Sequence, residues 1–340
     1  MIRKLYGWVV GHSLFRKAVI STPVIRDLAW RFVAGENLDT GIEAVRALNA
    51  RGIQGTLNYV GTHVRSRPEA IAAADAAIAA LRRIHAERVG SHLSLKLTQI
   101  GMDIDDDLCR AQLRRVLDCA REVGNFVRID MEESPYVERT LEMFEEAQAE
   151  YGADTVGIVI QSYLRDRAGD LERVIAGRSR VRLVKGGYWE PASVAYKTAE
   201  DIDGHFNRDI EALLASGCHA AIATHDVRCI ALTKDCAEKA GLDRQKFEFQ
   251  MLFGVRPDLQ VRLVEDGYSV RCYVPFGGHW QSHFLGCVRR LPGGALRRVR
   301  EVFSPRARGA CRQLGVFLMS PAEGCGCPMG HPTDRLPRIP

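Results

Sequence analysis

The sequence predicts a (β/α)8 barrel, and three observations carry that expectation. Eight short apolar runs recur along the 340 residues, each followed by a stretch with helical spacing of apolar positions. The runs are short and apolar, as expected for parallel strands buried on both faces. No Gly-rich GxGxxG turn follows the first run, which removes the mark of the competing doubly wound fold.

In chain order, residues 13–34 place Leu14, Val19, Ile25, Leu28 and Phe32 at roughly helical spacing. A second helix follows Thr40 through Ile42, Val45 and Leu48 and stops at Gly52. Residues 1–48 therefore read as an N-terminal helical arm, and 49–302 as the barrel. Strands are expected at 55–60, 93–97, 126–131, 156–163, 181–188, 220–224, 247–252 and 269–274. The intervening helices are expected at 68–84, 105–123, 136–149, around 171–175, up to 214, up to 240 and near 257–264, with a last one holding 284–290. From 303 to 340 periodicity disappears and prolines accumulate (Pro305, Pro321, Pro328, Pro332, Pro337, Pro340), which reads as an irregular, disordered tail.

The net charge of +5 comes from interleaved acids and bases, with a late basic run at Arg289, Arg290, Arg297, Arg298 and Arg300. That run reads as a solvated helix face or as attraction to an anionic surface such as a membrane. No nucleic-acid partner is expected. Eight of the ten cysteines stand singly, and Cys325-Gly-Cys327 with His331 is half a metal site at most. No metal is expected, the thiols read as reduced, and the compartment as cytoplasmic. The apolar run near the N-terminus is too short for a signal peptide. No run approaches the ~18 apolar residues of a spanning helix, so membrane contact is expected to be peripheral, at the inner face.

In a barrel of this kind the active site lies at the C-terminal ends of the strands. Those ends are polar here: Lys96; Asp130 with Glu132 and Glu133; Gln161 and Tyr163; Arg182, Lys185 and Tyr188; Thr224, His225 and Asp226; Glu248 and Gln250; Arg271 and Tyr273. Polar groups inside a barrel must pair or face a ligand, and so many point to a lined cavity. Neither a GxSxG elbow nor an HExxH pair is present, and His225 alone reads as a hydrogen-bonded core histidine. Cations, amides and aromatics without an activated nucleophile fit an anionic cofactor that carries the chemistry itself. The stretch VRLVKGGYWEP at 181–191 concentrates these features. Gly186-Gly187 between cations permits close backbone approach to an anion, or else is a plain strand end with a Gly turn and a snorkelling lysine.

RLVKGGYWEP resembles the RLVKGAY(W)EP signature of flavin-dependent proline dehydrogenases, single-activity bacterial type. SLKLTQIG, VRIDMEES, GIVIQSYL, IATHD, FEFQMLFGVR and VRCYVPFG resemble further segments of that family in the same order, from about 48 to 290. The resemblance implies FAD as cofactor. It places Asp130, Gln161, Arg182, Lys185, Gly186, Gly187, Trp189, Thr224 and His225 on the flavin side. Lys96, Tyr188, Tyr273, Arg289 and Arg290 fall on the substrate side, with Lys96, Asp130, Tyr273, Arg289 and Arg290 as catalytic candidates. The implied reaction is oxidation of L-proline to 1-pyrroline-5-carboxylate, the first step of proline catabolism, with hydride passing from C5 to flavin N5 and electrons then to a membrane quinone. Three positions depart from the family pattern. The acidic residues around strand one are replaced in Leu57-Asn58-Tyr59-Val60-Gly61-Thr62, Asp226 stands where asparagine is usual, and no glutamate follows Arg289-Arg290. These departures keep open another cyclic or N-alkyl amino acid as substrate, and a non-catalytic binding barrel. Oligomeric state is left open.

Overall fold

The computed structural model describes residues 29–61, 63–165, 167–278 and 280. Arg289 and Arg290, most of the first expected helix, the last expected helix and the 303–340 tail with Cys325, Cys327 and His331 lie outside the described residues.

Eight parallel strands close into a barrel in sequence order: β1 Gln54–Tyr59, β2 Ser91–Lys96, β3 Val127–Asp130, β4 Val156–Gln161, β5 Val181–Val184, β6 Ala220–Ala223, β7 Phe247–Leu252 and β8 Ser269–Phe276. Helix α1 (Leu38–Asn49) precedes β1. The crossover helices are α2 (Arg67–Ala86), α3 (Asp106–Glu122), α4 (Val137–Tyr151), α5 (Ala168–Ala176), α6 (Ala199–Ala215), α7 (Val227–Lys239) and α8 (Pro257–Glu265). Side-chain caps fix several starts: Asn37 accepts from Thr40 N at 3.0 Å before α1, and Thr198 accepts from Asp201 N at 3.1 Å before α6. α1 is held on the outer face of β1 and β8, where a Cβ on Gly41 would come 3.1 Å from Leu57 and 3.3 Å from Phe276.

The outward faces of the strands (Leu57, Leu93, Ile129, Ile158, Leu183, Ile222, Phe249, Val270) are buried against helices. The inward faces are polar. Two small residues make this arrangement fit. Gly157 sits in register with Arg128, and a Cβ there would come within 2.7 Å of the Arg128 guanidinium. Ala221 sits in register between Arg182 on β5 and Glu248 on β7, so nothing bulky on β6 separates those strands.

Strand five is shorter than the 181–188 expected from its apolar start, and strand four ends at Gln161 rather than 163. The reason is that the two loops beyond pair with each other: Tyr163 N donates to Lys185 O at 3.0 Å, Arg165 N to Val194 O at 2.7 Å and Tyr196 N to Tyr163 O at 2.8 Å.

Candidate active site

The C-terminal end of the barrel gathers Lys96, Asp130, Arg182 and Tyr273 from β2, β3, β5 and β8. Asp130 is the hub. Its buried carboxylate accepts from Ser94 Oγ at 2.6 Å, Arg182 Nη1 at 2.6 Å, Tyr273 Oη at 3.0 Å and Lys96 Nζ at 3.4 Å. Lys96 and Asp130 are register partners on adjacent strands, which is why they meet. Burial pushes the Asp130 carboxyl up, but Lys96 and Arg182, with the Ser94 and Tyr273 hydrogen bonds, outweigh it and hold its pKa below the ordinary value. Burial, then the Asp130 charge, raises Tyr273 well above the usual phenol range, so it stays a neutral donor. The Arg182 guanidinium also lies 5.4 Å from the centre of the Tyr273 ring.

Beneath this hub a second polar layer continues down the barrel. Arg182 Nε donates to Gln250 Oε1 at 2.5 Å, Gln250 Nε2 donates to Glu248 Oε1 at 2.5 Å, and Arg271 Nε donates to Glu248 Oε2 at 2.9 Å. Burial would raise the Glu248 carboxyl, but Arg271 and its neighbours bring it to about 2. Arg271 and Glu248, read from sequence as strand-end groups, are therefore a buried pair deeper in the barrel.

The remaining candidates fall around the rim. Gln161 Nε2 donates to Glu132 O at 2.9 Å. Lys185 Nζ donates to Asp203 at 2.6 Å and to Asp226 at 3.3 Å, so two carboxylates already face that cation. Asp226 also takes Arg228 Nη2 at 2.9 Å. Thr224 Oγ1 accepts from Asp226 N at 3.1 Å. His225 is half-buried, its Nε2 accepting from Leu252 N at 2.9 Å, and desolvation lowers its pKa to about 4. It is a neutral histidine with its proton on Nδ1. Gly186 has φ +107°, and a Cβ on it would fall 2.0 Å from Tyr163 Cδ1. Its close approach is thus to the Tyr163 ring. Tyr188 N donates to Tyr163 Oη at 3.2 Å, and Trp189 is 90 % exposed, outside the Asp130 cluster.

Sequence reasoning missed Ser94, and it named Gln250, Glu248 and Tyr163 without the roles they take. Ser94 is two residues before Lys96 and so shares its inward face, a period-2 signal that was available. The Gln250–Glu248 link was visible as the same i, i+2 spacing, but not its partner Arg182. Tyr163 as the wall against Gly186 had no local signal.

Residues 41–291 match the family model described as proline dehydrogenase. The chain is 38 % identical over 297 residues to a proline dehydrogenase of Deinococcus radiodurans, covering 83 % of this chain and 96 % of that one. It is also 38 % identical over 267 residues to proline dehydrogenase 1 of Bacillus subtilis, covering 78 % and 88 %. Among solved structures, proline utilization A from Bdellovibrio bacteriovorus superposes with a TM-score of 0.74 at 24 % identity, over 80 % of this chain but only 33 % of that much longer one, a likeness of fold. With a matching family model over most of its length, and relatives that it covers almost end to end, this chain belongs to the proline dehydrogenase family.

Proposed function

We propose that the protein oxidises L-proline to 1-pyrroline-5-carboxylate with FAD as its cofactor and a quinone as final acceptor. The observation that carries this reading is the Asp130 hub, where two cations, Lys96 and Arg182, share one carboxylate. The surplus positive charge suits an anionic ligand, and Arg182 Nη2 takes no partner among the described residues. The donor set fits a flavin dinucleotide: a guanidinium for the charge of the reduced ring, and Lys185 with the backbone at Gly186 and Gly187 in the loop after β5. Gln161, Trp189, Thr224 and His225 complete the proposed cofactor side.

When bound, FAD supplies the two-electron acceptor, taking hydride from the carbon next to the ring nitrogen. The chain's residues prepare the substrate for that step. The amine must be neutral to release hydride, so the ammonium proton has to pass to bulk water as the substrate enters. Asp130, held ionised and fully hydrogen-bonded, is a poor base, but it keeps Lys96 and Arg182 in place. Tyr273 and Tyr188 flank the substrate side. Arg289 and Arg290 are proposed to grip the substrate carboxylate with planar forks.

The test is anaerobic addition of L-proline to the FAD-loaded protein. The visible absorbance of the oxidised flavin is expected to bleach. Bleaching by an N-alkyl or hydroxylated analogue but not by proline overturns the substrate. Correctly folded protein that takes up no FAD overturns the cofactor. Arg290→Lys keeps the charge and loses the fork, and is expected to raise the proline concentration for half-maximal bleaching by roughly thirtyfold or more while FAD stays bound. Unchanged half-saturation removes Arg290 from the site.

A further inference from the structure

We infer that Gln250 is the positioning residue of Arg182, and that Glu248 fixes which way the Gln250 amide faces. This rests on the proposed flavin reading, in which Arg182 faces the cofactor.

A glutamine amide can present either its oxygen or its nitrogen to a neighbour. At position 250 the choice is removed. Glu248, held ionised by Arg271, can only accept, so the Gln250 NH2 must turn to it at 2.5 Å. Oε1 then faces Arg182 Nε, also at 2.5 Å. With Nε tied to β7 and Nη1 tied to Asp130 at 2.6 Å, the guanidinium plane has two anchors on opposite sides of the barrel. The small Ala221 between β5 and β7 lets Arg182 reach across.

The amide also matters for what it is not. A carboxylate in that place would give Arg182 a second counter-charge and cancel the surplus that suits an anionic ligand. A neutral acceptor orients the guanidinium without neutralising it. The charge of Glu248 is taken up by Arg271, which also donates to Gly55 O at 2.8 Å, so the negative group is kept one residue layer away from Arg182. The chain Arg271–Glu248–Gln250–Arg182–Asp130 thus carries orientation, but not net charge, up to the site.

The test is the midpoint potential of bound FAD in the full-length protein. Gln250→Met keeps the length of the side chain and removes the oxygen acceptor. Its guanidinium is expected to lose orientation and to stabilise the reduced flavin less. The potential should fall by the equivalent of at least tenfold in the two-electron equilibrium, about 30 mV. Gln250→Glu is the conservative partner. Its carboxyl lies against Glu248, and two carboxyls at that distance share a proton. Protonated, it donates to Glu248 and accepts from Arg182, as glutamine does. Deprotonated, it adds a charge beside Arg182. The charged or titratable groups facing this place are Arg182 from β5, Asp130 and Arg128 from β3, Glu248 from β7, Arg271 from β8 and His219 before β6. Gln250→Glu is therefore expected to match the parent potential at low pH and fall below it as pH rises.

A parent-like potential in flavin-loaded Gln250→Met overturns the inference. So does a Gln250→Glu potential displaced equally at every pH, because that marks a packing defect rather than a lost acceptor. A lower thermal midpoint with an unmoved potential is the signature of a merely structural role and counts against it as well. Failure of the parent protein to bind FAD instead overturns the proposed function on which the inference stands, so the two failures are told apart by the first titration.

Discussion

Asp130 shows how one buried carboxylate can organise four strands. Ser94, Arg182, Tyr273 and Lys96 all donate to it, so its removal strands two cations at once. Asp130→Asn keeps the shape and deletes the charge. Breaking a buried pair in this way costs about 3 kcal/mol, because the partner charges stay buried without compensation. The expected outcome is a lower urea midpoint at unchanged m-value, partly recovered in Asp130→Asn/Lys96→Met, where one uncompensated cation is gone. A strictly additive double variant would show that Lys96 and Asp130 do not couple.

At the scale of the element, the turn after β5 is decided by packing rather than propensity. Gly186 combines a positive φ with contact to the Tyr163 ring. Gly186→Ala therefore meets two separate costs, roughly 1–2 kcal/mol for the left-handed backbone and about 1–3 kcal/mol for the clash. Gly186→Ala is expected to be strongly destabilised, and adding Tyr163→Ala should relieve only the clash. Equal stability of Gly186→Ala and the parent would mean the turn is free to refold elsewhere. The same loop carries Lys185, faced by Asp203 and by Asp226 at the start of α7. Burial tends to lower the Lys185 pKa, but the Asp203 hydrogen bond and the nearby carboxylates raise it overall. Asp226→Asn withdraws one of these charges and is expected to tighten FAD binding several-fold, read as the dissociation constant from flavin fluorescence. An unchanged constant would show that Lys185 does not meet the cofactor.

The whole molecule carries a built-in sensitivity to acid. Burial lowers His225 and His219 to about 4 and His92 below its ordinary value. In the unfolded chain a histidine takes up a proton near pH ~6.5. Between these values the unfolded state binds more protons, so stability rises with pH there. The contribution is complete above the unfolded value and is lost as pH falls toward about 4. Glu248, brought to about 2, adds a loss of the same sign at still lower pH. Each tenfold difference in proton affinity between the folded and unfolded chain is worth roughly 1.4 kcal/mol, so each of the two histidines near 4 contributes on the order of 3 kcal/mol. Urea unfolding followed from neutral pH down to about pH 4 should show a falling midpoint, and His225→Gln, which keeps an acceptor for Leu252 N, should flatten that fall. A flat parent profile would show that these histidines titrate normally in the folded chain.

Sequence alone sets the eight strand–helix units, because each strand carries apolar residues on the side that meets the helices and each helix carries one apolar stripe. Polar residues toward the ends of apolar strands, Lys96, Asp130, Arg182 and Tyr273 among them, made the candidate site legible residue by residue. What sequence could not determine is who meets whom. Tyr273 and Asp130 are 143 residues apart and Arg182 and Asp130 are 52 apart, so the first bond needs the barrel closed with β8 beside β1 and the second needs β3, β4 and β5 side by side. The same holds for the two carboxylates on Lys185, the ring beneath Gly186 and the amide that holds Arg182. Local patterning sets which face a side chain takes. Hydrogen bonds near 3 Å across a barrel depend on register and on small neighbours such as Ala221 and Gly157, and those are properties of the closed sheet.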